Sequence, residues 1–226
     1  MRQKELIEKE AKGLIAQTDY VMLQKEKTWD KKLIQVNYYY TNDQLKEKHP
    51  DVHIRIRCFG KDMYLQIKVT TNKEHNFREC NEYELVMKDI PAQIDEETLR
   101  RAWGGYRFGN VKLIGFLVTE RSIKNVENAK IMLDRNAYNG KEDYEIEIEC
   151  DSIEIARQTI TALGVEDKMK MSRGKYERLQ NTKFVISDVK FVIIYNIGER
   201  RSFCRRYFSV AFAELEYGHE ERTWTT

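Results

Sequence analysis

From Tyr144 to Cys150, glutamate and isoleucine alternate, so Glu145, Glu147 and Glu149 would line one face of a strand against Ile146 and Ile148. Three carboxylates in a row repel one another unless cations lie nearby. Whatever fold the chain adopts must answer that repulsion.

The same parity runs through other segments. In HIRIRC, Arg55 and Arg57 share one face while Ile54 and Ile56 take the other. In YLQIKV, Gln66 and Lys68 stand opposite Leu65, Ile67 and Val69. Glu82 pairs in parity with Glu84, Thr119 with Arg121, and Lys130 with Met132 and Asp134. Near the start, Glu8-x-Glu10-x-Lys12 puts two carboxylates and an ammonium on one strand face.

For any one of these strands the ordinary reading is a sheet with its apolar face on a core and its charged face in water. Taken together, the polar faces hold arginines and clustered glutamates, where solvated strands usually carry Thr, Lys, Gln and Ser. Closing eight strands with that face inward would gather acids and bases around one cavity, with room for side chains or one small ligand. Hard carboxylate oxygens there would suit Mg²⁺ or Mn²⁺, and Arg and Lys would suit phosphate oxygens.

Eight strands are expected, over Glu5–Gly13, Leu33–Tyr40, Val52–Phe59, Met63–Thr70, Glu79–Met87, Val111–Arg121, Asn128–Arg135 and Asp143–Cys150. Helices are expected over Asp19–Lys27, Asp95–Trp103 and Ser152–Leu163. The last begins with a capping box of Asp151 and Glu154 and ends at Gly164. Pro91 and Gly104-Gly105 bracket the middle helix as a connector between two strand groups. The fold class is mainly β (α+β), an eight-stranded antiparallel closed tunnel or barrel with flanking helices.

At 226 residues, 41% hydrophobic and 34% charged, the chain is polar for its size, which an interior lined with charge would explain. A net charge of +2 gives no sign of a nucleic-acid binder. Cys58, Cys80, Cys150 and Cys204 are widely spaced, arguing against a zinc site and a disulfide framework. The start lacks an apolar signal region and no run reaches transmembrane length, so a cytoplasmic location with no membrane partner is expected. Beyond residue 180 the character changes, with an apolar stretch Phe184–Ile197 and a basic cluster of Arg200, Arg201, Arg205 and Arg206.

In order along the chain, Glu8-x-Glu10-x-Lys12, QVNYYYT (Gln35 to Thr41), IRIR, YLQIK, EYEL, Leu133-Asp134, YEIEIE and KYERL (Lys175 to Leu179) resemble the CYTH superfamily, the triphosphate tunnel metalloenzymes. The likeness is greatest to small CYTH proteins of Gram-positive bacteria and covers about residues 1–180, leaving 181–226 as a C-terminal extension of unknown origin. The resemblance implies that Glu8, Glu10, Glu147 and Glu149 hold a divalent metal, Mg²⁺ or Mn²⁺, with Asp134 a further ligand and Glu145–Glu147 an alternative register for the late pair. It implies that Lys12, Arg55, Arg57, Lys68 and Arg121 grip the phosphates and serve catalysis with Glu8 and Glu10, Lys130 joining the substrate contacts. Glu82 and Glu84 fit the family's mid-chain acidic strand. Gln66 stands where many members have Thr or Ser.

The implied activity is metal-dependent hydrolysis of inorganic triphosphate or a related organic triphosphate. A class IV-type adenylate cyclase, a thiamine triphosphatase and a non-enzymatic polyphosphate- or nucleotide-binding module are the alternatives. Trp29 and Trp103 are candidates for an aromatic clamp on thiamine, although tryptophans more often pack in cores. The expected partner is a triphosphate-containing small molecule, with a homodimer as an option and no nucleic acid. His53 shares parity with Arg55 and Arg57, which would place it near the tunnel mouth, although a surface position is the commoner one for a strand histidine and is the expectation. Tyr38 and Tyr40 share a face, with packing their expected role.

Overall fold

A computed structural model describes residues 4–105 and 107–182. The apolar stretch 184–197, the arginine cluster, Cys204 and His219 lie outside the described residues.

The alternating segments all form strands. In chain order they are β1 (Lys4–Ile15), β2 (Lys31–Thr41), β3 (Val52–Phe59), β4 (Asp62–Glu74), β5 (Phe77–Val86), β6 (Gln93–Ile94), β7 (Val111–Val126), β8 (Ala129–Tyr138) and β9 (Lys141–Cys150). Their order in the sheet is β2-β3-β4-β5-β1-β9-β8-β7, and β2 pairs with β7, closing an eight-stranded antiparallel barrel. The two-residue β6 adds to the beginning of β7. Several strands run past their expected ends, because hairpin partners extend the ladders beyond the alternating core of each segment.

Closure decides which face is inside. Ile54 and Ile56 of β3 and Leu65 and Ile67 of β4 take the face opposite the charged residues, and all four are fully buried. Burying each such side chain stabilises the fold by about 1.5–3 kcal/mol. On the opposite side of the barrel, α1 (Gln17–Glu26) and α4 (Ile153–Leu163) lie against the outer faces of β1, β8 and β9. There Leu23 and Val165 pack on Ile15, Ile131, Leu133 and Ile146, and Ala156 packs with Ala11 and Ile148. The isoleucines of YEIEIE therefore face helices, and its glutamates face the interior. Cys58, Cys80 and Cys150 are free thiols, as their spacing suggested.

Three helices fall where expected, including α3 (Glu96–Ala102), whose N-cap Asp95 accepts a hydrogen bond from the Thr98 amide at 2.7 Å. The cap of α4 differs from expectation. Ser152, not Asp151, is the N-cap, and its Oγ accepts from the Ile155 amide at 3.3 Å. That shift of one residue takes Glu154 out of capping-box position. Gly164 closes the helix in the left-handed region at φ 67°, as expected. Two helices were not anticipated, α2 (Asp43–Lys48) and α5 (Lys175–Gln180).

The short α5 matters most for the interior. Tyr176 and Leu179, three residues apart and so on one helical face, pack with Tyr39, Leu117 and Tyr138 at one end of the barrel. The Tyr176 hydroxyl donates to Thr41 Oγ1 at 3.0 Å and accepts from Gln180 Nε2 at 2.7 Å. At the helix start, the Glu177 carboxylate accepts from the Gly174 amide at 2.7 Å. Lys175 and Arg178 also share a face, and both side chains are buried.

Candidate active site

Register places most inward charges beside their opposites. Lys12 stands across from Glu147, Lys68 from Glu82, Arg121 from Asp134, and Lys130 from Glu149. Two pairs of carboxylates break the pattern: Glu10 faces Glu149, and Asp134 faces Glu145. Like charges directly opposite are destabilising, so each pair needs a cation.

At the α5 end that cation comes from the chain itself. Lys175 Nζ reaches Asp134 Oδ2 at 2.9 Å and contacts Glu145 and Glu147 as well. Arg121 forms a two-pronged bond to Asp134, at 2.8 and 2.7 Å, and extends to Glu147 Oε2 at 2.6 Å. Arg178 holds Glu145 with two contacts of 3.1 Å. Burial alone would push the Glu147 carboxyl up, but Lys175, Arg121 and Lys12 outweigh it and hold it well below the ordinary range. Glu145 is lowered for the same reason, against its burial, by Lys175 and Arg178.

The second acidic group, Glu8, Glu10 and Glu149, is held only by lysines. Lys68 Nζ lies 2.5 Å from Glu8 and 3.4 Å from Glu10, Lys12 contacts Glu10, and Lys130 lies 2.7 Å from Glu149. Burial, then the Glu8 charge, raises the Glu149 carboxyl above its usual range in spite of Lys130. These are hard oxygen donors with residual repulsion, which is the chemistry a divalent cation relieves. The five expected metal ligands thus fall into two groups. Asp134 and Glu147 come together with Glu145, their carboxylate oxygens within 4.8 Å of one another. Glu8, Glu10 and Glu149 make a looser set, whose oxygens do not converge to that distance: Lys68 bridges Glu8 and Glu10, and Glu149 stands across from Glu10.

The expected phosphate-gripping residues converge. Lys12, Arg55, Arg57, Lys68 and Arg121 line one cavity of about 60 Å³, room enough for a few water molecules. Arg55 bonds Gln66 at 2.7 Å and Glu82 at 3.2 Å, and Gln66 in turn donates to Glu84 at 2.6 Å. Burial would raise Glu82, but Arg55, Arg57 and Lys68 bring it down to about 2. Arg57 has only Asn37 Oδ1, at 3.0 Å, and its burial and the neighbouring Arg55 lower it to about 10. Lys130 stands apart from this group, lining a wider opening of about 730 Å³ at the other end with Glu82, Glu84 and Glu149. Glu8 and Arg57 border both spaces.

Several expectations change. His53 is not a surface histidine: it lines the cavity, and its ring packs against Tyr176 with centroids 4.5 Å apart. Closing the sheet turned its face inward, and burial pulls it down to about 4. Tyr38 and Tyr40 are packed, as expected, Tyr38 on Phe116 and Tyr40 with its hydroxyl donating to the Pro91 carbonyl at 2.7 Å, while Tyr39, between them, borders the cavity. Neither tryptophan forms a clamp within the tunnel. Trp29 packs in the α1–α4 core and Trp103 stacks on Tyr83. Lys175, Arg178 and Arg78 went unassigned. For the first two, the signal was KYERL itself, a lysine and an arginine three residues apart on a helix.

Comparison with known proteins agrees with this architecture. The sequence profile of the CYTH domain family matches residues 6–175. A proposed adenylate cyclase from Bacillus halodurans superposes with a TM-score of 0.57 at 22% identity, over 77% of this chain and 97% of that one. A proposed adenylyl cyclase from Hippeastrum, described as having a dominant triphosphatase activity, gives 0.62 at 16% identity over 79% and 98%. A Pyrococcus horikoshii protein gives 0.54 at 18% over 76% and 98%. At these identities the likeness carries the fold. No curated protein matches the chain. The family match spans most of its length, and the chain belongs to the CYTH domain family.

Proposed function

We propose that this member of the CYTH domain family is a divalent-metal-dependent phosphohydrolase that cleaves inorganic triphosphate, or a related organic triphosphate, inside its charged barrel. The observation that carries this reading is the convergence of Lys12, Arg55, Arg57, Lys68 and Arg121 on one cavity walled by Glu8, Glu10 and Glu147. A polyanion is the ligand that satisfies such a cation set, and the carboxylates would be wasted on a pure anion binder.

Glu8, Glu10 and Glu149 would hold Mg²⁺ or Mn²⁺, with hard oxygens matched to either ion. When bound, the ion would neutralise phosphate charge and polarise a phosphoryl oxygen. The chain's own residues do the rest by position. Lys12 and Lys68 would exchange their bonds to Glu10 and Glu8 for bonds to phosphate oxygens, freeing those carboxylates. Arg55, fixed by Gln66 and Glu82, presents a guanidinium that needs no reorientation. Arg121 and Arg57 would stabilise charge on the transferring group, since phosphoryl transfer relies mainly on positioning and electrostatics. Lys175, with Arg178 and Arg121, keeps Glu145 and Glu147 ionised, and it holds Asp134 in place.

The test is incubation with inorganic triphosphate, ATP and thiamine triphosphate, each with Mg²⁺, Mn²⁺ or EDTA, followed by product identification. Release of orthophosphate that stops in EDTA is expected. Cyclic nucleotide with pyrophosphate would replace this reading with a cyclase, and binding without turnover would replace it with a binding module. Glu10→Gln should lower kcat by about a hundredfold or more; full metal-dependent activity in that variant would sink the assignment.

A further inference from the structure

Most cations of the cavity have a carboxylate in contact. Lys12 has Glu10, Arg55 has Glu82, Lys68 has Glu8, and Arg121 and Lys175 share Glu147. Arg57, bonded only to Asn37, and Arg78 of β5 are the two exceptions, and Arg78 is the one at the α5 end. It lines the same cavity and is only 7% exposed, and although register sets it opposite Glu10 and the Glu177 carboxylate feels its charge, no described carboxylate comes within ion-pair distance of it. Its one hydrogen bond runs from Nη2 to the Ser172 carbonyl, at 3.0 Å. A guanidinium cannot shed its proton to escape burial, so a charge held this way calls for an anion.

A second observation points to the same place. His53 Nε2 is buried with no hydrogen-bond partner among the described residues, and the ring borders the cavity against Tyr176. The wall is completed by Gly174 and Lys175, and a Cβ at Gly174 would come within 3.1 Å of Arg78 Nη1. The cavity thus ends, on the α5 side, in a cation with no carboxylate in contact and a ring nitrogen with no hydrogen-bond partner among the described residues, with Glu177 as their nearby counter-charge. Arg78 lies outside the motifs that carry the phosphate-gripping residues, and His53 shares a strand face with two of them, Arg55 and Arg57.

We infer that Arg78 is a further phosphate-binding residue, which holds the terminal phosphoryl group of a linear phosphate chain at the closed, α5 end of the barrel. The inference rests on the triphosphate reading and deepens it by giving the bound chain a direction. A free terminal phosphate lies at Arg78 and His53, and any organic group lies towards the wider opening lined by Glu82, Glu84 and Glu149.

The test measures binding of inorganic triphosphate to the full-length protein in EDTA, by calorimetry, so that turnover plays no part. Arg78→Gln should weaken binding at least tenfold, and Arg78→Lys should recover most of the loss, because the charge and not the Ser172 bond is what the ligand reads. On the wild-type protein, the Arg78 guanidinium ¹⁵N resonance should shift as triphosphate is added, a readout that needs no variant to fold. Unchanged affinity in Arg78→Gln, equal loss in both variants, or a resonance that does not move would overturn the inference while leaving the triphosphate reading intact. Failure of the wild-type protein to bind triphosphate would instead overturn the reading beneath it.

Discussion

The two acidic groups of the barrel differ in what neutralises them. Asp134, Glu145 and Glu147 are held by Lys175, Arg121 and Arg178, with two-pronged guanidinium bonds and almost no exposure. Glu8, Glu10 and Glu149 are met by lysines alone, and Glu149 still feels the Glu8 charge. An arginine fork fixes both partners in one geometry, whereas an ammonium is a point charge that can be displaced. The first group therefore behaves as structure, and the second as a site that can exchange its cations for metal and substrate.

Removing a cation from the first group should produce the largest effect. Lys175→Met leaves buried carboxylates short of a partner and should cost about 3–5 kcal/mol of stability, read as a lower urea midpoint. A loss below about 1 kcal/mol would erase the distinction between the two groups. Next comes metal binding. Saturating Mn²⁺, at about a hundred times its dissociation constant, should add about 2.7 kcal/mol to wild-type stability. It should add little to Glu8→Gln or Glu149→Gln, and an undiminished gain in both would move the metal to the Asp134 group. Without metal, Glu149→Gln removes one of two facing carboxylates and should change stability by no more than about 1 kcal/mol, in contrast to Lys175→Met.

Acid sharpens the comparison by its order of events. Burial holds His53 neutral down to about pH 4, while an unfolded histidine titrates near 6.5. Between those values the unfolded chain binds more protons, so stability falls as pH falls through this window, by up to about 3 kcal/mol. Glu82, brought down to about 2 by its arginines, contributes stability above 4.5 that is lost below it. Two successive declines are thus expected in a series of denaturation curves, and His53→Phe should remove only the upper one. A variant curve that superimposes on the wild type would return His53 to the surface role its sequence suggested.

Much of this was legible in the residues. Alternation assigned Glu8, Glu10, Lys12, Arg55, Arg57, Lys68, Arg121 and Glu147 to inward faces, and the register then brought all of them to one cavity. Parity works because side-chain direction on a strand is a local property of the backbone. It could not separate His53 from a solvated histidine, or Tyr39 from Tyr38 and Tyr40, because β2 is buried on both faces. The capping position of α4 was missed by one residue, since Asp151 and Ser152 are both competent caps and only backbone geometry chooses between them.

By itself, the sequence determined which residues share a strand face, and its clustered acids and bases made an inward charged face the expectation, while closure and register came from the tertiary structure. Only the tertiary structure decided which acids are locked and which are open. Lys175 lies about thirty residues beyond Glu145 and Glu147, on a six-residue helix whose placement depends on Tyr176 and Leu179 finding Tyr39, Leu117 and Tyr138. Contacts so distant along the chain leave no periodic trace in it. They exist because burial of a small apolar face delivers two cations to carboxylates that could not otherwise remain charged inside the barrel.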